Sequence, residues 1–424
     1  MKKVINSVKG TREFYPQEMA VRSWLYRKIR EVSELFGYQE YEAPFLESLE
    51  LYAAKSGEEL VKEQSFVFPD RGGNLIALRP ELTLSLARMV AQRQNQLVYP
   101  LRWWSFGPFW RYEQPQKGRT REFFQWNIDL IGLNTPEADA ELVAVCAEFF
   151  KSIRLSTEEV KIFVNDRRLM GEQISKLGIP DNLKGTVLKV IDRRDKLNTA
   201  GWEAFVLEQG FTPEQLKGIQ VLLENKELYK ESDDLCRFFD AISALGVSGY
   251  VAYDPRIVRG LDYYTGIVFE AADITEDNRA ILGGGHYDNL VEEVGGQPLP
   301  GVGFAMGDVV LSLILKDLGK LPDFDLYPAK VLVTVFNQET IGASFQMASN
   351  LREAGIKTVL YPKKDKLGKQ FKHADRIEAR YVIVLGPDEI ENDSVQVKDL
   401  STGEQASVEI NLLAEYLTNK LAAL

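Results

Sequence analysis

The sequence LRWWSFGPFWRY at residues 101–112 is followed, after a short polar loop, by EFFQWNIDLIG at residues 122–132. Both stretches are rich in aromatic residues and isoleucine, which predicts the two strands of a hairpin. Because side chains alternate between the faces of a strand, one face carries tryptophans and the other is polar. The polar residues are Arg111, Gln125, Asn127 and Asp129. A solvated outer face is the ordinary explanation. We interpret this face instead as the floor of a binding site for a polar ligand, since its polar residues are few and of mixed charge.

The composition indicates a globular enzyme of two to four domains. The chain has 424 residues, of which 45% are hydrophobic and 27% charged, and these values argue against disorder. No apolar run approaches the ~18 residues of a membrane span, and the N-terminus lacks the apolar block of a signal peptide. We therefore expect a cytoplasmic protein that does not span a membrane.

The cysteines and histidines argue against a structural metal site or a disulfide framework. The chain contains two of each, namely Cys146, Cys236, His286 and His373. Their number and wide separation make a Cys-rich zinc site or a set of disulfides untenable. We predict no protein-bound metal site.

The overall charge argues against nucleic-acid binding by bulk electrostatics. One local stretch is nevertheless a candidate for a nucleic-acid-binding surface. The net charge is −11, whereas residues 363–380 carry seven basic and three acidic side chains, a local +4. Such a stretch is as often a solvated helix face as a binding surface.

The pattern of elements predicts an α+β chain with two main parts. Strands at 75–78, 264–271, 280–282 and 302–306 accompany the hairpin, and helices are expected at 17–36 and 136–151. The residue pattern from about 166 to 245 predicts a helical insertion. Beyond a linker at 323–328, strands alternate with helices, which predicts a small α/β domain with a mostly parallel sheet.

Three local signatures point to a known family. They are RPELT at residues 79–83, FWRYEQPQKGR at residues 109–119, and RGLDYYTG at residues 259–266, the last followed by GGGHYD at residues 283–288. Together they resemble the class II aminoacyl-tRNA synthetases and, among these, the histidyl-tRNA synthetase family. The likeness covers nearly the whole chain, and the C-terminal part resembles that family's anticodon-binding domain.

The resemblance implies an architecture, an activity and partners. Residues 1–325 are expected to form a catalytic domain with a six- or seven-stranded antiparallel sheet, interrupted by the helical insertion at about 166–245. Residues 328–424 are expected to form an α/β anticodon-binding domain. The implied reaction attaches L-histidine to tRNA(His) through a histidyl-adenylate, with ATP and Mg²⁺. A homodimer is implied by residues 17–44, which resemble the interface motif of the class.

The resemblance also implies roles for individual residues. Arg111 and Arg259 would contact the α-phosphate of ATP, and Arg119 would point at the other phosphates. Further positions match the histidine-binding residues of the family. These are Glu81, Thr83 and Gln125 for the ammonium group, Asp129 and Tyr264 for the imidazole, and Tyr263 and Tyr287 for the remaining pocket. The family more often carries glutamate where this chain has Asp129.

One family position differs in a way that bears on activity. The stretch GFAMG at residues 303–307 resembles the start of the third class motif, but Val310 stands where the family usually has an arginine near the ATP γ-phosphate. Lys117, Arg119 or Arg121 could supply the missing charge, and we favour Arg119. The alternative is a paralogue that does not charge tRNA, such as a regulatory subunit of ATP phosphoribosyltransferase.

Overall fold

The computed structural model of the chain describes residues 4–53, 65–116, 118–194, 197–258, 263–275 and 279–422. Two compact units divide the chain, Met1–Pro322 and Asp323–Leu424. Within the described ranges, no helix is both long enough and apolar enough to cross a membrane.

The first unit is a mixed α/β structure. Its strands are β1 (Gln39–Glu40), β2 (Leu46–Ser48), β3 (Phe66–Pro69), β4 (Leu75–Leu78), β5 (Leu101–Trp110), β6 (Glu122–Ile131), β7 (Val160–Asp166), β8 (Val251–Tyr253), β9 (Ile267–Asp273), β10 (Ala280–Tyr287) and β11 (Gly301–Gly307). Its helices are α1 (Pro16–Leu35), α2 (Leu49–Ala53), α3 (Thr83–Arg93), α4 (Pro136–Ser152), α5 (Arg167–Lys176), α6 (Asp181–Asp192), α7 (Thr199–Glu208), α8 (Pro213–Glu224), α9 (Asp233–Ala244), α10 (Leu290–Glu293) and α11 (Asp308–Asp317).

A sheet of eight strands forms the centre of this unit, in the order β1-β5-β6-β11-β10-β9-β7-β8. The six central strands pair antiparallel. The short edge strands β1 and β8 pair parallel to their neighbours. The antiparallel catalytic sheet is therefore confirmed, but it has eight strands rather than the expected six or seven. The strands that the sequence did not reveal are β7 and β8.

The apolar face of the β5–β6 hairpin packs against helices. Trp104 contacts Tyr26 of α1, and Trp126 contacts Phe149 of α4, with ring centroids 6.0 and 5.1 Å apart. Both tryptophans are fully buried, and burial of a side chain this large stabilises the fold by on the order of 3 kcal/mol. The helices thus cover one face of the sheet and leave the opposite face for the site.

Helix α4 begins where the sequence predicts. The Thr135 side chain accepts a hydrogen bond from the Ala138 amide, and Pro136 occupies the first turn. A threonine cap satisfies an amide that has no partner within the helix, and proline fits there because its missing amide is not needed. This start directs Asp139, in the first turn, towards the sheet.

Helices α5 to α9 lie between β7 and β8 in the chain. These helices occupy the range, about 166–245, where the residue pattern predicts a helical insertion. Strands β2, β4 and β3 form a separate three-stranded antiparallel sheet, which precedes α3 and places Glu81 at the helix start.

The second unit is a five-stranded sheet with helices. Its strands and helices are β12 (Val331–Val333), α12 (Ile341–Glu353), β13 (Thr358–Leu360), α13 (Leu367–Arg376), β14 (Tyr381–Val384), α14 (Pro387–Glu391), β15 (Ser394–Asp399), β16 (Gln405–Glu409) and α15 (Leu413–Ala422). The strand order is β13-β12-β14-β15-β16. Strand β12 pairs parallel with β13 and β14, whereas the pairings of β15 are antiparallel. The sheet is α/β as expected but only half parallel, since the β15–β16 hairpin has no helix between its strands.

Candidate active site

Asp129 lies at the centre of the polar face of the sheet. Its partners on the neighbouring strands are Trp103 of β5 and Gly303 of β11. A Cβ atom at position 303 would overlap the Asp129 carboxylate, so glycine there makes room for this side chain. Burial raises the pKa of Asp129 to about 7, the hydrogen bond from Tyr287 opposes this rise, and the charge of Glu81 adds to it. The site therefore holds a carboxyl group that titrates near neutral pH.

Tyr287 forms a wall beside this carboxylate. Its hydroxyl donates a hydrogen bond of 2.9 Å to Asp129 Oδ1, and the residue is 2% exposed. A Cβ atom at position 301 would lie 2.7 Å from the Tyr287 ring. Glycines 301 and 303 on β11 thus leave space for Tyr287 and Asp129 respectively.

Two further tyrosines extend the wall. The rings of Tyr263 and Tyr264 are 4.8 Å apart, and those of Tyr263 and Tyr287 are 6.3 Å apart and nearly perpendicular. A Cβ atom at position 285 would lie 2.8 Å from the Tyr264 ring, so Gly285 lets the ring approach the strand. Arg167 donates a hydrogen bond of 2.7 Å to the Tyr264 carbonyl, which anchors the backbone of this segment.

Glu81 and Thr83 lie together at the start of helix α3. The Glu81 carboxylate accepts hydrogen bonds from the amides of Thr83 at 3.0 Å and Leu84 at 3.4 Å. Burial raises the pKa of Glu81, while these two amides and the charge of Arg111 oppose the rise. A carboxylate held by the free amides of a helix start is fixed in position.

Arg111 follows the end of β5 and is held by the RPELT segment. Its Nε donates a hydrogen bond of 3.0 Å to the Pro80 carbonyl, and its guanidinium carbon lies 5.3 Å from the centre of the Phe123 ring. Burial lowers the pKa of Arg111, while the charges of Glu113 and Glu81 raise it. An arginine remains charged under such shifts, so the site combines a fixed cation with the Glu81 and Asp129 carboxyl groups.

The loop between β5 and β6 makes a tight turn beside helix α11. Gln116 and Arg119 exchange backbone hydrogen bonds of 3.1 and 2.9 Å. Gly118 in this turn has a φ of 85°, a conformation that favours glycine. Val310 lies beneath the turn, 3.7 Å from the position of a Cβ atom on Gly118. The Arg119 side chain is 65% exposed, and its guanidinium forms an ion pair of 3.5 Å with the Glu113 carboxylate.

The comparisons with known proteins agree with this geometry. The family model described as "Histidyl-tRNA synthetase" matches residues 10–308, and the one described as "Anticodon binding domain" matches residues 330–420. The chain belongs to the histidyl-tRNA synthetase family.

Individual relatives in the family match this chain over most of its length. It is 38% identical over 420 residues to the chloroplastic/mitochondrial histidine–tRNA ligase of Arabidopsis thaliana, which covers 96% of this chain and 85% of that protein. The histidine–tRNA ligase of Opitutus terrae is 38% identical over 421 residues, 95% of each chain. The crystal structure of histidyl-tRNA synthetase from Nostoc matches with a TM-score of 0.80 at 26% identity, over 99% of this chain and 100% of that one.

The structure brings most of the predicted site residues onto one face of the sheet or onto the segments beside it. These are Glu81, Thr83, Arg111, Gln125, Asp129, Tyr263, Tyr264 and Tyr287. Two members of the sequence prediction, Arg259 and Lys117, lie outside the described residues. Whether any of these residues contacts a substrate in this family member stays a prediction.

His286 is a buried histidine that the sequence analysis did not interpret. Its ring is fully buried behind β10, with Nδ1 2.8 Å from Asp139 of α4 and Nε2 3.2 Å from Asp288. Burial lowers the pKa of His286 and the carboxylates raise it, the net direction being upward despite the charge of Arg168. Its carbonyl accepts a hydrogen bond of 2.9 Å from the Thr265 amide. The contact between His286 and Asp139 thus connects helix α4 to β10, the strand that carries Tyr287.

Tyr41, on the polar face of the sheet, is a second residue that the sequence analysis missed. It follows the edge strand β1, and its amide donates to the Trp104 carbonyl at 2.9 Å. Its ring lies 5.4 Å from that of Trp103, the cross-strand partner of Asp129. The sequence QEYEAP does not predict this position for the tyrosine, because β1 joins the sheet only by pairing with β5, some 60 residues later in the chain.

Proposed function

We propose that the chain is a histidine–tRNA ligase that activates L-histidine with ATP and transfers it to tRNA(His). The observation that carries this proposal is the buried Asp129–Tyr287 pair, on the same face of the sheet as the Arg111–Glu81 cluster. The first pair suits a polar ring with two nitrogens, and the second suits an amino acid whose carboxylate meets a phosphate.

Histidine recognition follows from the positions of the polar groups. The Asp129 carboxyl group and the Tyr264 hydroxyl are assigned to the two imidazole nitrogens, with Tyr263 and Tyr287 enclosing the ring. A substrate with a different ring would lack the hydrogen bonds that these two groups offer the imidazole nitrogens, which strongly disfavours it. Glu81, Thr83 and Gln125 are assigned to the ammonium group, since carboxylate, hydroxyl and amide oxygens all accept its hydrogen bonds.

Activation requires two anions to approach each other. A carboxylate oxygen of histidine attacks the α-phosphorus of ATP, and the bond to the bridging oxygen breaks to release pyrophosphate. Arg111 offsets the repulsion between the two anions and stabilises the charge on the pentacovalent phosphorus. Its attachment to the Pro80 carbonyl holds the guanidinium in place before the reaction. Arg259 is assigned a second contact with the same phosphate.

Magnesium is proposed to arrive with ATP, where it neutralises the phosphates. Mg²⁺ usually binds substrate phosphates with only one or two carboxylates and several waters. Over the described ranges, no group of three or more histidine, cysteine, aspartate or glutamate side chains could hold a metal ion. The residues present fit an ion held mainly by the nucleotide.

The second unit is proposed to bind the anticodon stem-loop. Helix α13 is anchored by Gln370, whose side chain bonds both the amide and the carbonyl of Val335 at 2.9 and 2.8 Å. Lys369, Lys372 and Arg376 of the same helix are exposed. A fixed helix with an exposed basic face suits contacts with phosphate.

A homodimer is proposed from the apolar surface near β2. Phe45 and Leu46 are 44% and 48% exposed, and Phe68 on β3 of the same three-stranded sheet is 41% exposed. Phe45 and Leu46 directly follow residues 17–44, the segment that resembles the class interface. A self-complementary apolar patch is the usual basis of a two-fold dimer. Sedimentation at micromolar protein tests this, and a monomer alone would contradict it. The cytoplasmic location stays a prediction.

Histidine-dependent exchange of pyrophosphate into ATP, followed by charging of a tRNA(His) transcript, tests the main proposal. We expect both activities with histidine and neither with other amino acids. Charging without exchange is chemically inconsistent with an adenylate, and absence of both would revive the non-charging paralogue. No specific observation favours that alternative.

A further inference from the structure

We propose that Tyr41 is a specificity-determining residue of the histidine pocket, whose hydroxyl hydrogen-bonds to the imidazole end of the bound amino acid. This inference rests on the proposed function and adds to it a residue that the family signatures do not include.

The position of Tyr41 follows from the pairing of the sheet edge. Strand β1 runs parallel to β5, with Gln39 opposite Trp103. Residues 39 and 41 share a face with Trp103, and Trp103 lies opposite Asp129. The Tyr41 side chain therefore stands on the site face, and its ring contacts that of Trp103. A tyrosine side chain is long enough to reach across the one intervening strand.

The Tyr41 hydroxyl is the unusual feature. It is shut off from solvent and has no hydrogen-bond partner among the described residues. A buried hydroxyl without a partner is costly, and the large majority of buried polar groups in native proteins have a hydrogen-bond partner. A ligand that enters the pocket would supply the missing partner.

The charges around Tyr41 indicate which ligand groups it meets. Burial raises the pKa of Tyr41, and the charges of Asp129, Glu42 and Glu81 add to the rise. The charge of Arg79 opposes it. The charge of Tyr41 likewise contributes to the raised pKa of Tyr287. Tyr41 is thus close to both members of the Asp129–Tyr287 pair. A hydroxyl can donate and accept, so it suits a ring nitrogen in either protonation state.

Thermal unfolding with and without histidine tests the inference without relying on catalysis. Tyr41→Phe removes only the hydroxyl. We expect the variant without ligand to unfold at the parental temperature or higher, because an unsatisfied polar group has been removed. We expect the stabilisation by histidine to decrease, with an affinity reduced about three- to tenfold, the loss typical of one neutral hydrogen bond.

Tyr253→Phe is the matched control. Its hydroxyl is also buried without a partner in the described structure, but it lies on β8 at the opposite edge of the sheet. The Tyr253→Phe variant should unfold at the parental temperature or higher, as expected for Tyr41→Phe, and should bind histidine with parental affinity.

An analogue without ring nitrogens, 2-thienylalanine, sharpens the readout. The preference for histidine over this analogue should fall in Tyr41→Phe and remain parental in Tyr253→Phe. Equal stabilisation of Tyr41→Phe and the parent by histidine would overturn the inference, as would a clear loss of stability without ligand, which indicates a structural hydroxyl. If histidine fails to stabilise even the parental protein, the proposed function itself fails.

Discussion

The Tyr287 hydroxyl donates a 2.9 Å hydrogen bond to Asp129 and thereby links β10 to β6 across β11. The bond is possible only because positions 301 and 303 on the intervening strand are glycines. It fixes the orientation of a carboxyl group whose pKa burial raises to about 7. Histidine recognition in the proposed pocket therefore depends on a donor that stabilises the ionised form of Asp129.

Tyr287→Phe tests this dependence. Loss of the donor should raise the pKa of Asp129 further, since the hydrogen bond now lowers it. A hydrogen bond to a charged group contributes about 1.5–3 kcal/mol, so we expect the KM for histidine to rise at least tenfold, with a smaller change in kcat. Histidine-dependent pyrophosphate exchange measures both constants. An unchanged KM at pH 7 would show that Asp129 does not bind histidine as an anion.

Asp129→Asn should change how stability depends on pH. The pKa of Asp129 is about 7 in the folded protein and ordinarily near 3.8, so the folded state retains a proton that the unfolded state releases between these values. Stability from this group is therefore lost as pH rises from about 4 to about 7, by at most about 1.4 kcal/mol per pH unit. Urea unfolding between pH 5 and 8 should show a flatter profile in the variant.

Asp325→Asn is the control for that measurement. The ion pair with Lys330 lowers the pKa of Asp325, so its titration ends below the tested range. Its profile should keep the parental slope. A parental slope in Asp129→Asn would mean that Asp129 stays ionised throughout.

His286 should act as a positioning residue behind the pocket. Asp139 and Asp288, when ionised, can only accept hydrogen bonds, so a ring protonated on both nitrogens satisfies both. His286→Gln should raise the KM for histidine on the order of tenfold through displacement of β10. His286→Arg should retain activity, because a guanidinium donates to both carboxylates without titrating.

The pH dependence separates this role from simple packing. The pKa of His286 is raised in the folded protein, so its stabilisation is complete below the ordinary value near 6.5 and is lost as pH rises through the raised value. His286→Arg should remove this loss, whereas His373→Gln, in the second unit, should not. If His286→Gln and His286→Arg behave alike, the charge has no role.

The sequence predicted the hairpin face correctly because strand alternation depends only on local geometry. Gln125 and Asp129 share a face for that reason, and RPELT places Glu81 and Thr83 together because both lie at one helix start. The roles of Tyr41 and His286 were not predictable in this way. Their partners, Trp103 and Asp139, are distant in sequence and meet them only through sheet pairing and helix packing. Strand β7 was missed because its sequence VKIFVND alternates only weakly between apolar and polar residues and leads directly into helix α5.

The basic face of helix α13 should make the binding of tRNA salt-dependent. The double variant Lys369→Ala, Lys372→Ala removes two exposed cations without disturbing the buried Gln370 anchor. We expect weaker binding of tRNA(His) and a salt-dependence slope smaller by about 1.4 to 1.8, from about 0.7–0.9 per charge. Pyrophosphate exchange should be unchanged. Lys420→Ala, on α15 of the same unit, is the matched control. An equal loss of tRNA binding in this variant would show that the effect comes from net charge alone.

Val310 leaves a family position near the ATP phosphates without a cation. The β- and γ-phosphates carry several negative charges that must be neutralised when pyrophosphate leaves. Arg119 is exposed in the turn directly above Val310, so we expect Arg119→Ala to raise the KM for ATP at least tenfold while the KM for histidine stays parental. Val310→Arg in the Arg119→Ala background should restore ATP use, because position 310 lies against the same turn. An unchanged KM for ATP in Arg119→Ala would assign the charge to another cation. Failure of Val310→Arg to rescue a damaged Arg119→Ala enzyme would show that Arg119 contributes through loop geometry rather than charge.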